Sequence, residues 1–209
     1  MALSLQVTMR YLPQLLANNR AWASDLASRD PEFFERLWAI QRPAHLWIGC
    51  ADSRVPANEI VGLAPGELFV HRNVANLVHR EDQNCLSVLQ YAVDNLNISH
   101  IIVCGHYRCG GIQAAFGPAT AEPLEGWIAS VRAIRQAHET ELAALPDDDA
   151  RWQRLCELNV MEQVRTLRSL PTVLQAWGRG QELAIHGWIY DLRDGLLRDL
   201  DVSVNAAIN

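Results

Sequence analysis

The sequence has no apolar run approaching the roughly 20 residues of a membrane-spanning helix, no cluster of basic residues, no low-complexity tract and no internal repeat. Each absence removes a class. Without an apolar run there is no helical span, and with a formal net charge of −6 and no basic patch there is no electrostatic footprint for nucleic acid or an anionic membrane. The amino-terminal stretch also lacks the basic-then-apolar order of a secretory signal, so a cytoplasmic chain is expected. Five cysteines, an odd count without the spacing of a small secreted domain, argue against a disulfide framework and for reduced thiols. Nothing resembling a linker divides the 209 residues, so one domain, 1–209, is expected.

What is present is a chain with 49% hydrophobic residues, enough for a substantial core. The first 42 residues read as a helical arm: two helices from Pro13 to Gln41, broken at Asp30-Pro31-Glu32, with Asp30 as N-cap and Pro31 at the first helical position. Phe33, Leu37 and Ile40 share a face of the second helix and Phe34 and Trp38 widen it, an amphipathic pattern that predicts packing on a partner subunit. After Pro43 strands and helices alternate: strands at 45–51, 67–73 and 100–106, helices at 57–63, 83–95 and from Cys109. Alternation of this kind predicts an α/β fold with a mostly parallel central sheet flanked by helices. Longer helices follow at 122–144 and 152–170, separated by a Pro-Asp-Asp-Asp turn and N-cap, and then a short one at 172–178. Two final runs, 183–192 and 195–204, joined at Asp194-Gly195, read as a carboxyl-terminal edge hairpin.

The chemistry is concentrated where two apolar strands give way to turns. Cys50 and Asp52 lie in Cys-Ala-Asp-Ser-Arg, and His106 and Cys109 in Gly-His-Tyr-Arg-Cys-Gly-Gly. Thiolate, imidazole and carboxylate are the donors Zn²⁺ prefers, and the carboxyl edge of a parallel sheet is where ligands bind. Alternation along the strand lets Cys50, Asp52 and Arg54 project to one side. His106 and Cys109 are spaced to reach one ion, and Gly110 and Gly111 permit close backbone approach. Cys109 at a helix N-terminus is expected to favour the thiolate even without metal. Cys85, Cys104 and Cys156 read as small buried hydrophobes, His71 and His79 as structural residues rather than proton shuttles, and Trp127, Trp152, Trp177 and Trp188 as packing residues.

Taken together, CADSRVP (50–56), PGELFVHRNVAN (65–76) and CGHYRCGG (104–111) occur in the order found in the β-class carbonic anhydrases, which the chain resembles from about Leu16 to Val204. The resemblance implies Cys50, His106 and Cys109 as zinc ligands and Asp52 with Arg54 as a catalytic dyad. It also implies Gln41 as a residue orienting substrate, with reversible hydration of carbon dioxide to bicarbonate as the reaction. Three protein ligands leave a fourth position for water, the mark of a catalytic rather than a structural zinc. Two thiolates weaken the Lewis acid relative to imidazoles, and a bidentate Arg54–Asp52 pair aiming the nucleophile would compensate. In the subclass it most resembles, the aspartate swings onto zinc in a closed state, favoured by bicarbonate bound through positions matching Trp47, Arg72 and Tyr190. The resemblance further implies a homodimer or homotetramer. Arg108, between two ligands, puts the charge at the entrance in question. Two alternatives remain: a carbon disulfide or carbonyl sulfide hydrolase on the same scaffold, and a non-catalytic bicarbonate-sensing zinc module.

Overall fold

A computed structural model describes residues 12–207, which divide into two compact units at Gln41/Arg42. The first holds α1 (Leu12–Arg29) and α2 (Phe33–Ala39). Asp30 does not cap α2: its carboxylate pairs with Arg36 instead, and Glu32 occupies the N-cap position without a side-chain bond. Phe33 and Leu37 are half-buried, whereas Trp38 and Ile40 face solvent.

The second unit is built on five strands: β1 (His45–Cys50), β2 (Leu68–Asn73), β3 (His100–His106), β4 (Ala184–Asp191) and β5 (Leu196–Asp199). They lie in the order β2-β1-β3-β4-β5, with the first three pairings parallel and β4–β5 antiparallel, as the alternating pattern predicts. Helices α3 (Ala57–Ile60), α4 (Gln83–Gln90), α5 (Gly110–Gln113), α6 (Leu124–Ala137), α7 (Glu139–Ala143), α8 (Asp148–Arg168) and α9 (Pro171–Gly178) complete it. The main core forms where Leu46, Ile48, Ile101, Val103, Ile185 and Ile189 meet the apolar faces of α4, α6, α8 and α9. Residues of opposite parity, Trp47, Leu68, Ile102 and Cys104, make a smaller cluster. In β4 the period of two is complete: Ile185, Gly187, Ile189 and Asp191 are buried and the residues between them half-exposed.

Three local expectations need correction. The helix expected at 122–144 is broken at His138, whose backbone (φ −109°, ψ 20°) is not helical, giving α6 and α7. The helix after Cys109 is a single turn followed by a short 3₁₀ segment, Ala114–Phe116. The last strand stops at Asp199; the amide of Leu200 still donates to the carbonyl of Gly187 at 3.0 Å, and beyond Asp201, at φ +56°, there is an isolated Val204–Ile185 bridge. The acidic turn does cap α8, with the Asp147 carboxylate accepting from the amide of Ala150 at 2.8 Å. The hairpin turns at Gly195, which uses the left-handed conformation open to glycine (φ +72°).

Candidate metal centre

Because β1 and β3 are neighbours, the carboxyl ends of both strands deliver their last side chains to one place. Cys50 ends β1, His106 ends β3, and Cys109 follows one tight turn later, in which Arg108 adopts φ +57°. One donor atom from each lies within 4.8 Å of the others, and all three residues are buried. The Sγ atoms of Cys50 and Cys109 are 3.8 Å apart. Two thiolates held at about 2.3 Å from one tetrahedral zinc are separated by about 3.8 Å, so the pair already has the spacing zinc requires.

The histidine is set for the same purpose. Its Nδ1 lies 3.0 Å from the carbonyl of Tyr107 and donates to it, which leaves a lone pair on Nε2. That Nε2 is buried without a hydrogen-bond partner, an arrangement that costs free energy unless something else takes the lone pair. Asp52 Oδ2 stands 3.7 Å away but is turned toward Arg54. Donor chemistry, spacing and the orphaned nitrogen all fit a zinc ion.

The proton inventory differs from the expectation for Cys109. The hydrogen bond between the two thiols and the nearby His106 draw Cys50 well below the ordinary thiol range, while Cys109 is pushed well above it by facing Cys50 and by burial. Without metal the thiolate therefore belongs to Cys50. The one-turn α5 has too few aligned peptides to offset that burial at its N-terminus.

Asp52 and Arg54 form the fork the sequence suggested. Arg54 Nε donates to Oδ1 at 2.9 Å, Nη2 to Oδ2 at 2.7 Å, and the Arg54 amide to Oδ1 at 2.9 Å. These bonds, led by the guanidinium, hold the carboxyl of Asp52 far below the usual carboxylate range. Asp52 is mostly covered and Arg54 about half-exposed, so the dyad joins the buried centre to solvent. Arg72, on the neighbouring β2, donates from Nε to the carbonyl of Cys50 at 2.9 Å and from Nη2 to that of Asp52. It thus grips the backbone of a candidate ligand, Cys50, and of Asp52.

Trp47, Arg72 and Tyr190 share one face of the sheet by strand parity. Trp47 is buried, its indole lying against Gly49, where a Cβ would come within 2.3 Å of Nε1. Tyr190 is half-buried on β4 opposite His106. Gln41 is exposed at the end of the first unit, whereas every other candidate lies in the second. Arg108 is committed locally: its guanidinium stacks 5.3 Å over Trp152 and reaches toward Asp149 at 3.7 Å.

A second group, His71, Asp82 and Cys85, also brings its donor atoms within 4.8 Å of one another. It is not poised for metal. The side-chain amide of Asn73 is pinned in both directions by Leu77, its Oδ1 accepting at 2.7 Å and its Nδ2 donating at 2.8 Å, so Nδ2 also faces His71 Nε2 at 3.2 Å. Nε2 must accept there, which puts the ring proton on Nδ1 and leaves neither nitrogen free. Burial raises the Cys85 thiol to about 12. His79 is likewise structural, with Nε2 3.2 Å from the carbonyl of Trp127 and its ring packed edge-on against that indole.

Sequence reasoning missed the residues by which α8 holds the loops around the candidate centre. Tyr107 donates to Glu157 at 2.6 Å, Asn159 to the carbonyl of Ala75 at 2.9 Å, and the Trp152 indole to the carbonyl of Cys109 at 3.0 Å. They lie 43 to 84 positions from what they contact, so no local pattern could expose them.

Comparison with known proteins agrees with this geometry. Residues 45–197 match the carbonic anhydrase family model. A carbonic anhydrase of Emericella nidulans is 48% identical over 197 residues, covering 92% of this chain and 86% of that protein. One from Pseudomonas aeruginosa is 36% identical, covering 81% and 79%. Among solved structures, the Coccomyxa β-carbonic anhydrase in complex with acetazolamide superposes with a TM-score of 0.88 at 43% identity, covering 92% of this chain and 87% of that one. A β-carbonic anhydrase from Sordaria macrospora, one of two described as tetrameric, gives 0.88 at 37% identity, covering 92% and 98%. With the family model spanning most of the chain and relatives this similar along nearly its whole length, the chain belongs to the β-carbonic anhydrase family.

Proposed function

We propose that the protein interconverts carbon dioxide and bicarbonate at a zinc ion held by Cys50, His106 and Cys109, with Asp52 and Arg54 as the catalytic dyad. The observation that carries this is the orphaned Nε2 of His106 beside two sulfurs spaced 3.8 Å apart. When bound, zinc supplies the Lewis acidity that makes water nucleophilic near neutral pH. Asp52, kept ionised by Arg54, is an acceptor only, so it orients the attacking oxygen by taking its hydrogen bond and leaves a lone pair for carbon dioxide. The buried walls around Cys50 and Cys109 exclude bulk water from one side, and the half-exposed Arg54 marks the side from which substrate enters and the proton leaves to buffer.

Bicarbonate taken up beside Trp47, Arg72 and Tyr190 would compete for the Arg72 guanidinium. That guanidinium holds the carbonyls of Cys50 and Asp52, so its withdrawal would free Asp52 to leave Arg54 and turn its carboxylate toward Cys50, His106 and Cys109, closing the site. Arg72→Ala is expected to lose the inhibition by bicarbonate, and an unchanged bicarbonate response would refute this part alone. Like the Sordaria proteins described as tetrameric, the chain is taken to assemble with copies of itself, the amphipathic helices of its first unit supplying contact surface.

The test is stopped-flow hydration of carbon dioxide by zinc-quantified protein, scanned from about pH 7 to 9 in a non-coordinating buffer. Turnover proportional to zinc content supports the reading. Full zinc occupancy without turnover at any pH overturns it, in favour of a sensing module, or of a carbon disulfide or carbonyl sulfide hydrolase if either of those is consumed.

A further inference from the structure

We infer that Trp152 is a positioning residue for the metal ligand Cys109, an inference that rests on the zinc reading above. Cys109 stands in a turn whose neighbouring residues add few side-chain contacts of their own. Arg108 before it is in the left-handed region, and Gly110 and Gly111 after it have no side chain. Gly111 cannot acquire one either, since a Cβ would meet Val74 at 2.7 Å. The single turn of α5 contributes one backbone bond, from the amide of Gln113 to the Cys109 carbonyl at 3.0 Å. That carbonyl has a second lone pair, and the Trp152 indole N–H fills it at 3.0 Å. Both lone pairs of the peptide that carries the ligand are therefore occupied, one by the turn and one by a long helix packed across β3 and β4.

Arg108 closes the clasp from the other side. Its guanidinium lies over the same indole, so the residue before the ligand and the carbonyl of the ligand are both tied to one ring. One helical turn beyond Trp152, Cys156 is buried on the same helix, so α8 meets the loop along a packed face. In this arrangement the indole fixes the direction of the Cys109 Cα–Cβ bond, and with it the position of the sulfur.

The experiment compares Trp152→Phe, which keeps the ring under Arg108 and removes only the N–H, with Trp177→Phe. Trp177 makes the same kind of bond, Nε1 to the carbonyl of Leu183 at 2.8 Å, at the start of β4 far along the chain from any ligand. Release of zinc to a chelator and the visible spectrum of the cobalt(II)-substituted protein are measured for both. Trp152→Phe should release zinc about tenfold faster, the lower end of effects for groups that orient ligands, and should shift the thiolate-to-cobalt absorption. Trp177→Phe should match the wild type in both. Equal release rates and spectra for Trp152→Phe and wild type would overturn the inference, and so would equal acceleration in both variants, which would mark a loss of global stability. Wild-type protein that binds neither metal would instead overturn the zinc reading itself, before either variant is compared.

Discussion

Replacing Arg54 by lysine tests the dyad most directly. Arginine offers Asp52 two parallel bonds, at 2.9 and 2.7 Å, whereas a lysine ammonium is a point charge that cannot make both at once. A charge-assisted bond is worth about 1.5–3 kcal/mol when shielded. Here Arg54 is about half-exposed, and solvent screening brings the loss to about 1 kcal/mol, or roughly fivefold in a population at 25 °C. The backbone bond from residue 54 to Oδ1 survives the change and keeps Asp52 near its place, which bounds the effect from above. Arg54→Lys should therefore hydrate carbon dioxide with kcat/KM lowered about fivefold, with zinc content unchanged and Tm within about 2 °C of wild type. Stopped-flow hydration on metal-quantified protein measures the first, and a thermal melt the last. Wild-type kcat/KM in Arg54→Lys would show that the fork does not orient Asp52. A large fall in zinc content would show that the dyad supports the ligands rather than the reaction.

Three further outcomes follow from the same geometry. His106→Ala removes the nitrogen that is buried without a partner, and zinc affinity by chelator competition should fall by more than about 100-fold; retention of tight zinc would mean the ion sits elsewhere. Gly105→Ala would bring a Cβ within 2.6 Å of Val160 and 3.1 Å of Ile189, both fully buried, so overpacking should cost about 2 kcal/mol and lower Tm by roughly 4–8 °C; an unchanged melt would show that the core yields there. His100 and His186, with Nδ1 and Nε2 3.1 Å apart, are both held below the ordinary histidine value, first by burial and then by neighbouring histidines, with Asp199 opposing this only at His186. Below the unfolded value of about 6.5 the unfolded chain binds more protons than the folded one, so this stability is present at higher pH and is lost as pH falls. His186→Gln should flatten the decline of Tm between about pH 7.5 and 5.5, and an equally steep decline would assign acid sensitivity to other groups.

Much of the fold was legible because its determinants are local. Alternating apolar runs and helical faces marked the strands and most helices, and Asp194-Gly195 marked the hairpin, since turn chemistry is a property of two or three adjacent residues. Errors fell where a local preference met a competitor: Asp30 was taken by Arg36, and His138 interrupted a helical pattern. The candidate ligands were visible for a similar reason. Cys50, Asp52 and Arg54, and then His106 and Cys109, each sit within a few positions of one another, so side-chain alternation and a tight turn suffice to group them.

How the groups meet depends on packing between distant segments. Nothing in the chain order says that β1 and β3 lie side by side, with β2 on the outer flank, yet that adjacency brings Cys50 to 3.8 Å from Cys109 across 59 positions. The protonation of the pair also required it, because burial and the facing thiol outweighed the helix-end effect that the sequence suggested for Cys109. Arg72 gripping the Cys50 and Asp52 carbonyls and Trp152 holding that of Cys109 are contacts to backbone atoms, which every residue possesses, so no residue type at the accepting position announces them. Residue order alone specifies which chemistry the chain can carry, because reactive groups are properties of residues. Packing determined where those groups are held and in which protonation state, because distance and burial are properties of the fold.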